Sequence, residues 1–324
     1  MSEFDKAEEI NSLTPISSGA LIARSSNLVK RGLALANTLL RRERAEIYYK
    51  SGHDKSIKGE YLKAIEDYTQ AIQIDPDFAE AYSGRAFCFG KLGEYQKALQ
   101  DQEVRVRLMP HDDLGYVLRG NSHIDLGNYQ EAIRDYTQAI ALTPEKYPGK
   151  NIRPEAIKSG RYEKRGLVYS SIDKYQEAID DYTRAIELEL PRVNTSAYIA
   201  RGVAYYKNDK MREAVKDFTM AMKNELWLIE PSYFRGLAYE KLGMNQNALE
   251  DYTRVIELRQ KQERPGFIIS EEEKEYLDSA YWQRGIVYRK LDMLKDALED
   301  FREAARLGNK IAQSYLQEKI YKRS

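Results

Sequence analysis

Neighbouring acidic residues are the feature of this sequence that most resembles a catalytic group. Two adjacent carboxyl groups, one protonated and one charged, can serve as general acid and general base. Such pairs stand at Glu66-Asp67, Asp180-Asp181, Glu250-Asp251 and Glu299-Asp300. Every pair precedes an aromatic residue in a segment that recurs along the chain, and a group that recurs in copy after copy indicates architecture. We therefore interpret the pairs as scaffold.

Histidine and cysteine offer no better candidate. His53, His111 and His123 lie in different repeats or turns, without a pair at metal-ligand spacing. Cys88 is the only cysteine, and its flanks "RAFCFG" favour a small buried residue over a reactive thiol. The sequence contains no nucleophile elbow and no phosphate-binding glycine loop. It therefore predicts no enzyme, no cofactor and no metal site.

Composition and charge narrow the class of protein. The 324 residues are 42% hydrophobic and 31% charged, which is typical of a folded protein. Acidic and basic residues number 51 each, so the net charge favours neither nucleic acid nor an anionic membrane as a partner. The acidic N-terminus does not resemble a signal peptide, and no apolar run is long enough to span a bilayer. We expect a cytoplasmic protein without membrane contact.

A repeated segment explains the recurring acidic pairs. "GEYLKAIEDYTQAIQIDP" at 59–76 returns as "GNYQEAIRDYTQAIALTP" at 127–144, and shorter versions follow at 174–190 and 244–258. Alignment gives a repeat of 34 residues. The seven repeats are predicted at 45–78, 79–112, 113–146, 159–192, 195–228, 229–262 and 278–311. Insertions at 147–158 and 263–277 interrupt them.

Small residues at two positions of the repeat indicate closely crossing helices. Position 20 is alanine in all seven repeats, and position 8 is glycine in six, with Ala86 as the exception. Position 24 is aromatic in six, with Gln102 as the exception, and should fill the space beside the small residues. Pro76, Pro110 and Pro144 cannot continue a helix. Each repeat is therefore predicted to be a helical hairpin.

This order of aromatic, Gly, Tyr, Ala, aromatic, Ala and Pro over 34 residues resembles the tetratricopeptide repeat family. The resemblance covers about four fifths of the chain. It implies an all-α fold, a right-handed α-solenoid of helical hairpins, and a non-catalytic scaffold whose inner surface binds a segment of another protein. The variant with "RG" in the first helix and "DYTQAI" in the second is similar to repeats common in cyanobacteria. It would admit a role in photosynthetic or signalling assemblies.

Charged residues inside the repeat predict a second recurring feature. Position 7 is arginine in six repeats and position 23 is aspartate in all seven. Both positions face the interface between helices, so we expect bidentate Arg–Asp pairs, either within a repeat or between neighbours. Repeat two also carries Arg105 where a small residue belongs. Arg105 must reach solvent or find a carboxylate, and a loosened hairpin is favoured over a binding arginine.

The segments outside the repeats are predicted to cap them. Residues 1–44 should be a polar N-terminus followed by a helix on the first repeat, although the arginines of that helix also permit docking to a partner. The insertions should protrude as elbows. Pro154 is expected near a helix start, and a helix should begin near Glu271, two turns longer than its equivalents. Gly308 should end the last repeat before a C-terminal capping helix at 312–324.

The binding surface is predicted on the first helix of each repeat, at positions 2, 5, 9, 12 and 13. The predicted contact residues are Tyr49, His53, Phe87, Asn121, Leu167, Ile199, Val203, Tyr206, Tyr233, Leu237, Trp282, Ile286 and Arg289. From repeat five onward these positions are mostly apolar with charged neighbours, as a groove for an amphipathic helix or extended peptide requires. The alternative is that neighbouring repeats or the C-terminal helix already cover them.

The sequence leaves three classes of function open. A protein-interaction scaffold is favoured by the whole repeat region. A helical-repeat protein that binds nucleic acid would need a basic stripe on the inner face, and an enzyme would need a site outside the repeats. Many repeat co-chaperones bind a C-terminal carboxylate with Lys and Asn. The matching positions here are Tyr49, His53, Gly84, Leu114 and Leu118, so we expect no such clamp.

Overall fold

The computed structural model describes residues 39–145, 153–223, 228–262 and 271–321. Within these ranges the chain forms fifteen α-helices and no β-strand. The helices are α1 (39–57), α2 (Tyr61–Ile74), α3 (Ala79–Lys91), α4 (Tyr95–Leu108), α5 (Asp113–Asp125), α6 (Tyr129–Leu142), α7 (Pro154–Ser171), α8 (Tyr175–Glu189), α9 (Thr195–Lys207), α10 (Met211–Met222), α11 (Ile229–Lys241), α12 (Asn245–Gln262), α13 (Glu271–Lys290), α14 (Leu294–Leu307) and α15 (Lys310–Tyr321). The prediction of an all-α fold is confirmed.

The helices belong to two compact units, an N-terminal unit (Met1–Pro110) and a C-terminal unit (His111–Ser324). In the N-terminal unit α3 packs on α4 and also on α2. In the C-terminal unit each first helix packs on its own second helix, from the α5–α6 pair to the α13–α14 pair, and each pair packs on the next. Stacked hairpins that bury one another are the arrangement of an α-solenoid.

Each hairpin turns through a residue in the left-handed conformation at position 15. Gly59, Gly93, Gly127 and Gly243 have φ near +75° in four repeats. Asp173, Asp209 and Asp292 adopt φ of 58°, 56° and 63° in the other three. Aspartate tolerates this region better than most residues because its short side chain bonds locally. The turn therefore keeps its shape although its residue changes.

Close packing between the two helices of a repeat explains the invariant small residues. A Cβ added at Gly202 would lie 2.7 Å from the ring of Phe218, and one at Gly236 would lie 2.8 Å from the ring of Tyr252. The alanines at position 20 are at most 3% exposed. The prediction that the position-24 aromatic ring fills the space beside these small residues is confirmed.

Repeat two departs from this packing in a compensated way. Gln102 stands at position 24, so no ring lies against position 8, and that position holds Ala86 instead of glycine. Ala86 is 2% exposed and Gln102 is 4% exposed. Arg105 is also buried, at 5% exposure, so it does not reach solvent. The hairpin keeps its form with a different pair of side chains at the crossing.

The segments between and beyond the repeats differ in part from expectation. Residues 154–158 are the first turn of α7, with Pro154 at its start, and are therefore not spacer. Helix α13 begins at Glu271 and is 20 residues long, against 13 for α11, which confirms its two extra turns. Gly308 ends α14 with φ of 108°, and α15 begins two residues earlier than predicted.

The remaining predictions for the termini and the insertions lie outside the described residues. They are the capping helix before residue 39, the elbows at 147–152 and 263–270, and the end of the C-terminal helix at 322–324.

Candidate binding surface

Six arginine–aspartate pairs join the two helices of their own repeat. Each arginine donates from Nε and Nη2 to the two oxygens of the aspartate sixteen residues later, in Arg85–Asp101, Arg119–Asp135, Arg165–Asp181, Arg201–Asp217, Arg235–Asp251 and Arg284–Asp300. In repeat five the two donor–acceptor distances are 2.7 and 2.9 Å. The predicted bidentate pairs are confirmed, and the arrangement within a repeat is the one adopted.

A third bond carries the pair across to the preceding repeat. Nη1 of the arginine donates to the threonine at position 25 of that repeat, in Arg85–Thr69, Arg165–Thr137, Arg201–Thr183, Arg235–Thr219 and Arg284–Thr253. The arginine lies on the first helix of its repeat. Its guanidinium bonds to the second helix of that repeat and to the second helix of the preceding repeat. We call these arginines, aspartates and threonines the Arg–Asp–Thr network.

Burial makes this network costly to break. The aspartate side chains are 4–7% exposed and the arginine side chains 14–25%. Burial raises the pKa of the Asp181 carboxyl, and the hydrogen bonds from Arg165 oppose that rise. The hydrogen bonds to Asp181 raise the pKa of the Arg165 guanidinium. Each ion therefore depends on its partner to remain charged inside the protein.

In repeat one the position-23 aspartate is paired with residues other than arginine. Position 7 is Ser51, whose hydroxyl donates to Asp67 at 2.6 Å. Lys55, one turn further along α1, supplies the positive charge at 2.6 Å from the same carboxylate. A serine and a lysine together thus replace the arginine, and the aspartate is again paired.

The predicted contact residues of the N-terminal unit have different surroundings. Tyr49 is half-buried, with its ring 5.0 Å from that of Phe78. His53 is exposed and stacks on Tyr49 at 6.4 Å. Phe87 is 52% exposed and has Lys91 Nζ 5.4 Å from its ring centroid. Only Phe87 in this set is an exposed apolar group.

Two predicted contact residues of the C-terminal unit belong to repeats three and four. Asn121 accepts a hydrogen bond of 2.7 Å from the Tyr136 hydroxyl, so its amide serves the interior of its own repeat. Leu167 is 59% exposed on α7.

The apolar strip of repeats five to seven comprises seven half-buried residues of α9, α11 and α13. They are Ile199, Val203, Tyr206, Tyr233, Leu237, Trp282 and Ile286. Helix α11 contacts both α9 and α13, so the three helices lie side by side. Tyr206 meets Phe234 across the first boundary at 6.0 Å, and Tyr233 meets Tyr276 across the second at 5.2 Å.

Parts of the strip are already covered by the fold. Val203 and Tyr206 pack against the buried cluster that contains Phe218. Tyr233 and Leu237 pack against the buried cluster that contains Tyr252. The Trp282 ring lies 4.8 Å from Phe301 and 5.8 Å from Tyr315 of α15. The C-terminal helix therefore covers one side of Trp282 and bounds the strip at that end.

Charged groups line one edge of the strip. Lys241 Nζ lies 4.5 Å from the ring centroid of Tyr206 and 3.4 Å from Asp209. Lys290 pairs with Glu240 at 2.7 Å, and the Tyr252 hydroxyl donates to the same carboxylate at 3.1 Å. Arg289 is exposed, with its guanidinium carbon 5.8 Å from the Tyr315 ring centroid.

The sites expected to be inert have the surroundings of structural residues. Cys88 is fully buried beside Ser56, and burial raises the pKa of its thiol. Across the described ranges, no group of three or more His, Cys, Asp or Glu residues could hold a metal ion. None of the helices seen in those ranges combines the length and apolar character needed to cross a membrane.

Sequence reasoning missed three partners that the structure reveals. The position-25 threonines recur in the segment "DYT", and that recurrence was the signal that they bond to a repeated partner. The sequence marks Asn121 only as a predicted contact residue, and the structure adds that it accepts a hydrogen bond from the Tyr136 hydroxyl. Arg161 is 6% exposed and pairs with Asp113 at 2.6 Å, while it also donates to Thr143. No repeating pattern marks Arg161.

Family comparison identifies the repeat. Tetratricopeptide repeat models match residues 114–146, 160–190 and 229–262, and a further TPR repeat model matches residues 52–93. The chain therefore contains tetratricopeptide repeats. No curated protein sequence matches the chain.

Solved structures agree with this fold. The C-terminal part of a TPR repeat-containing protein from Cytophaga hutchinsonii is 18% identical, with a TM-score of 0.64, covering 82% of this chain and 98% of that one. A tetratricopeptide repeat protein from Parabacteroides merdae is 18% identical, with a TM-score of 0.57, covering 85% and 98%. PilF of Pseudomonas aeruginosa is 17% identical, with a TM-score of 0.53, covering 74% and 99%. At these identities the likeness concerns the fold alone.

Proposed function

We propose that the chain is a non-catalytic interaction scaffold and that the apolar strip of repeats five to seven binds an apolar segment of a client protein. The presence of tetratricopeptide repeats supports the scaffold role, because this family typically binds proteins. The cytoplasmic location, the lack of nucleic-acid binding and the similarity to cyanobacterial repeats stay predictions from the sequence.

One observation carries the choice of surface. The first helices repeat Arg and Gly at positions 7 and 8, but the residues at positions 5 and 9 change from repeat to repeat and stay apolar only in repeats five to seven. Ile199, Val203 and Leu237 are half-buried, so part of each side chain remains accessible in the folded chain. Partly accessible apolar side chains on adjoining helices favour association with another apolar surface.

A client captured from the native cell and identified by mass spectrometry provides the test. The variant Ile199→Ser, Leu237→Ser, Ile286→Ser should bind that purified client at least about ten-fold more weakly, a loss of about 1.4 kcal/mol. Trp282 is left unchanged because its ring also packs on Phe301 and Tyr315.

The matched control is Leu294→Ser, which removes a leucine that is 61% exposed on α14, away from the strip. It should bind the client as the unmodified chain does. Undiminished binding by the triple variant, with its helical circular-dichroism signal intact, would show that the client binds elsewhere.

A further inference from the structure

The edge of the apolar strip carries an excess of positive charge. Position 13 of the first helix is lysine in three successive repeats, and each of these lysines is exposed: Lys207, Lys241 and Lys290. Arg289 is exposed beside Lys290. In repeats three and four, position 13 is Asp125 and Ser171 instead. Within the C-terminal unit, the basic edge therefore coincides with the repeats that carry the strip.

The acidic residues nearby do not cancel this charge. Glu240 has a side chain that is 14% exposed, and it is occupied by Lys290 and by the Tyr252 hydroxyl. Asp209 is 85% exposed and lies 3.4 Å from Lys241. Asp292, at the equivalent turn of repeat seven, is also exposed. Against these three carboxylates stand three lysines and one arginine. The solvent beside the strip consequently meets a surface that attracts anions.

We infer that the segment bound by the strip is an amphipathic peptide with acidic residues beside its apolar face. This inference rests on the function proposed above and adds the charge of the partner to it. Apolar side chains of the peptide lie on Leu237 and its neighbours, while glutamate or aspartate residues face Lys207 and Lys241. Exposed charges of this kind steer encounter and select between partners more than they add affinity.

Two synthetic peptides with the same leucine positions provide the probe. One carries glutamate at every polar position and the other carries lysine, and each is labelled with fluorescein at its N-terminus. Fluorescence anisotropy gives the two dissociation constants at low and at moderate salt. The acidic peptide should bind at least about ten-fold more tightly at low salt, and the difference should shrink as salt screens the charges.

Charge reversal locates the effect. Lys207→Glu with Lys241→Glu should remove most of the preference for the acidic peptide. Lys174→Glu with Lys295→Glu makes the same change of net charge at two exposed lysines away from the strip, and this control should keep the preference. Retained preference in the strip variant would overturn the assignment of the charge to this edge.

The remaining outcomes separate this inference from the proposed function. Equal binding of the two peptides, abolished by Ile199→Ser, Leu237→Ser, Ile286→Ser, would overturn the acidic partner and leave the strip as a binding site. Failure of both peptides to bind would count against both proposals. Tighter binding of a single-stranded thymidine oligonucleotide than of the acidic peptide would replace the peptide by nucleic acid as the anionic partner.

Discussion

The arginines of the Arg–Asp–Thr network and the residues of the apolar strip lie on the same first helices and differ in how they vary. Arg201 of the network and Ile199 of the strip are two residues apart on α9, yet arginine recurs at position 7 in six repeats while position 5 runs through tyrosine, serine, valine, glutamate, isoleucine and tryptophan. A residue that bonds to the neighbouring helix meets the same surroundings in each repeat. Position 5 has no bond that recurs in every repeat, and we propose that its variation carries specificity.

Alkaline pH is expected to have the largest effect on the free energy of unfolding, because it acts on several repeats together. Burial raises the pKa of the position-24 hydroxyls of Tyr68, Tyr136, Tyr182 and Tyr252 above the ordinary value of about 10. The unfolded chain then loses these protons first. The contribution of these tyrosines to stability should be constant below about pH 10 and should fall as the pH rises toward the folded-state values.

Urea unfolding at a series of alkaline pH values measures this loss. In the Tyr136→Phe variant the free energy of unfolding should fall less steeply with pH, because one of the groups that ionise is removed while the ring remains. A slope that is the same in the variant would show that other groups, lysines among them, cause the alkaline loss.

Removing one partner of the Arg–Asp–Thr network should have the next largest effect. Asp217→Ala leaves Arg201 without its carboxylate at a site where the guanidinium side chain is 14% exposed. We expect a loss of roughly 3 kcal/mol in the free energy of unfolding, measured by urea denaturation. Glu187→Ala breaks the exposed Arg184–Glu187 pair and should cost at most about 1 kcal/mol. Similar losses in both variants would mean that burial does not determine how much an ion pair contributes to the free energy of unfolding.

Gly202→Ala tests the close approach of the two helices. Its new Cβ would meet the Phe218 ring at 2.7 Å, so overpacking should cost about 1–3 kcal/mol despite the better helix propensity of alanine. Gly160→Ala is the matched control, because no atom lies within 4 Å of a Cβ added there, within α7. That control should gain up to about 1 kcal/mol. Thermal unfolding that moves both variants in the same direction would contradict this account of position 8.

Thr219→Val should have the smallest effect of the four. It removes the hydroxyl that accepts from Arg235 Nη1 at 3.0 Å and keeps the shape of the side chain. We expect a loss of about 1 kcal/mol or less in the free energy of unfolding. In a double-mutant cycle with Arg235→Lys the two losses should not add, since they share one bond. If the two losses simply add, the hydrogen bond between Arg235 and Thr219 does not contribute to stability.

The sequence predicts the repeated features well and the single ones poorly. Ala64 and its six equivalents, the glycines at position 8 and the Arg–Asp pairs could be predicted because each recurs at a fixed spacing. For the Arg–Asp pairs, that spacing left open whether they form within a repeat or between neighbours. The pair of Arg161 with Asp113 joins residues on either side of the insertion between repeats three and four. It does not recur at the repeat spacing, so the periodicity of the sequence does not predict it. The role of Asn121 was hidden for the same reason.

The binding surface is predicted least completely because exposure depends on neighbours that a local pattern does not include. Positions 5 and 9 were assigned to the inner face from helical spacing. Spacing alone could not show that Tyr315 of α15 covers one side of Trp282, or that Tyr233 packs on Tyr276. These contacts come from residues 33 and 43 positions further along the chain.

Hydrogen exchange of the full chain, with and without its bound client, tests the division between network and strip most directly. Binding on the strip should slow exchange of backbone amides in α9, α11 and α13, whose inner faces would be covered. The second helices α10, α12 and α14 should change little, because the proposed surface lies on the first helices. Slower exchange confined to α10, α12 and α14 would contradict the account, since the client would then lie on the other face of the same repeats.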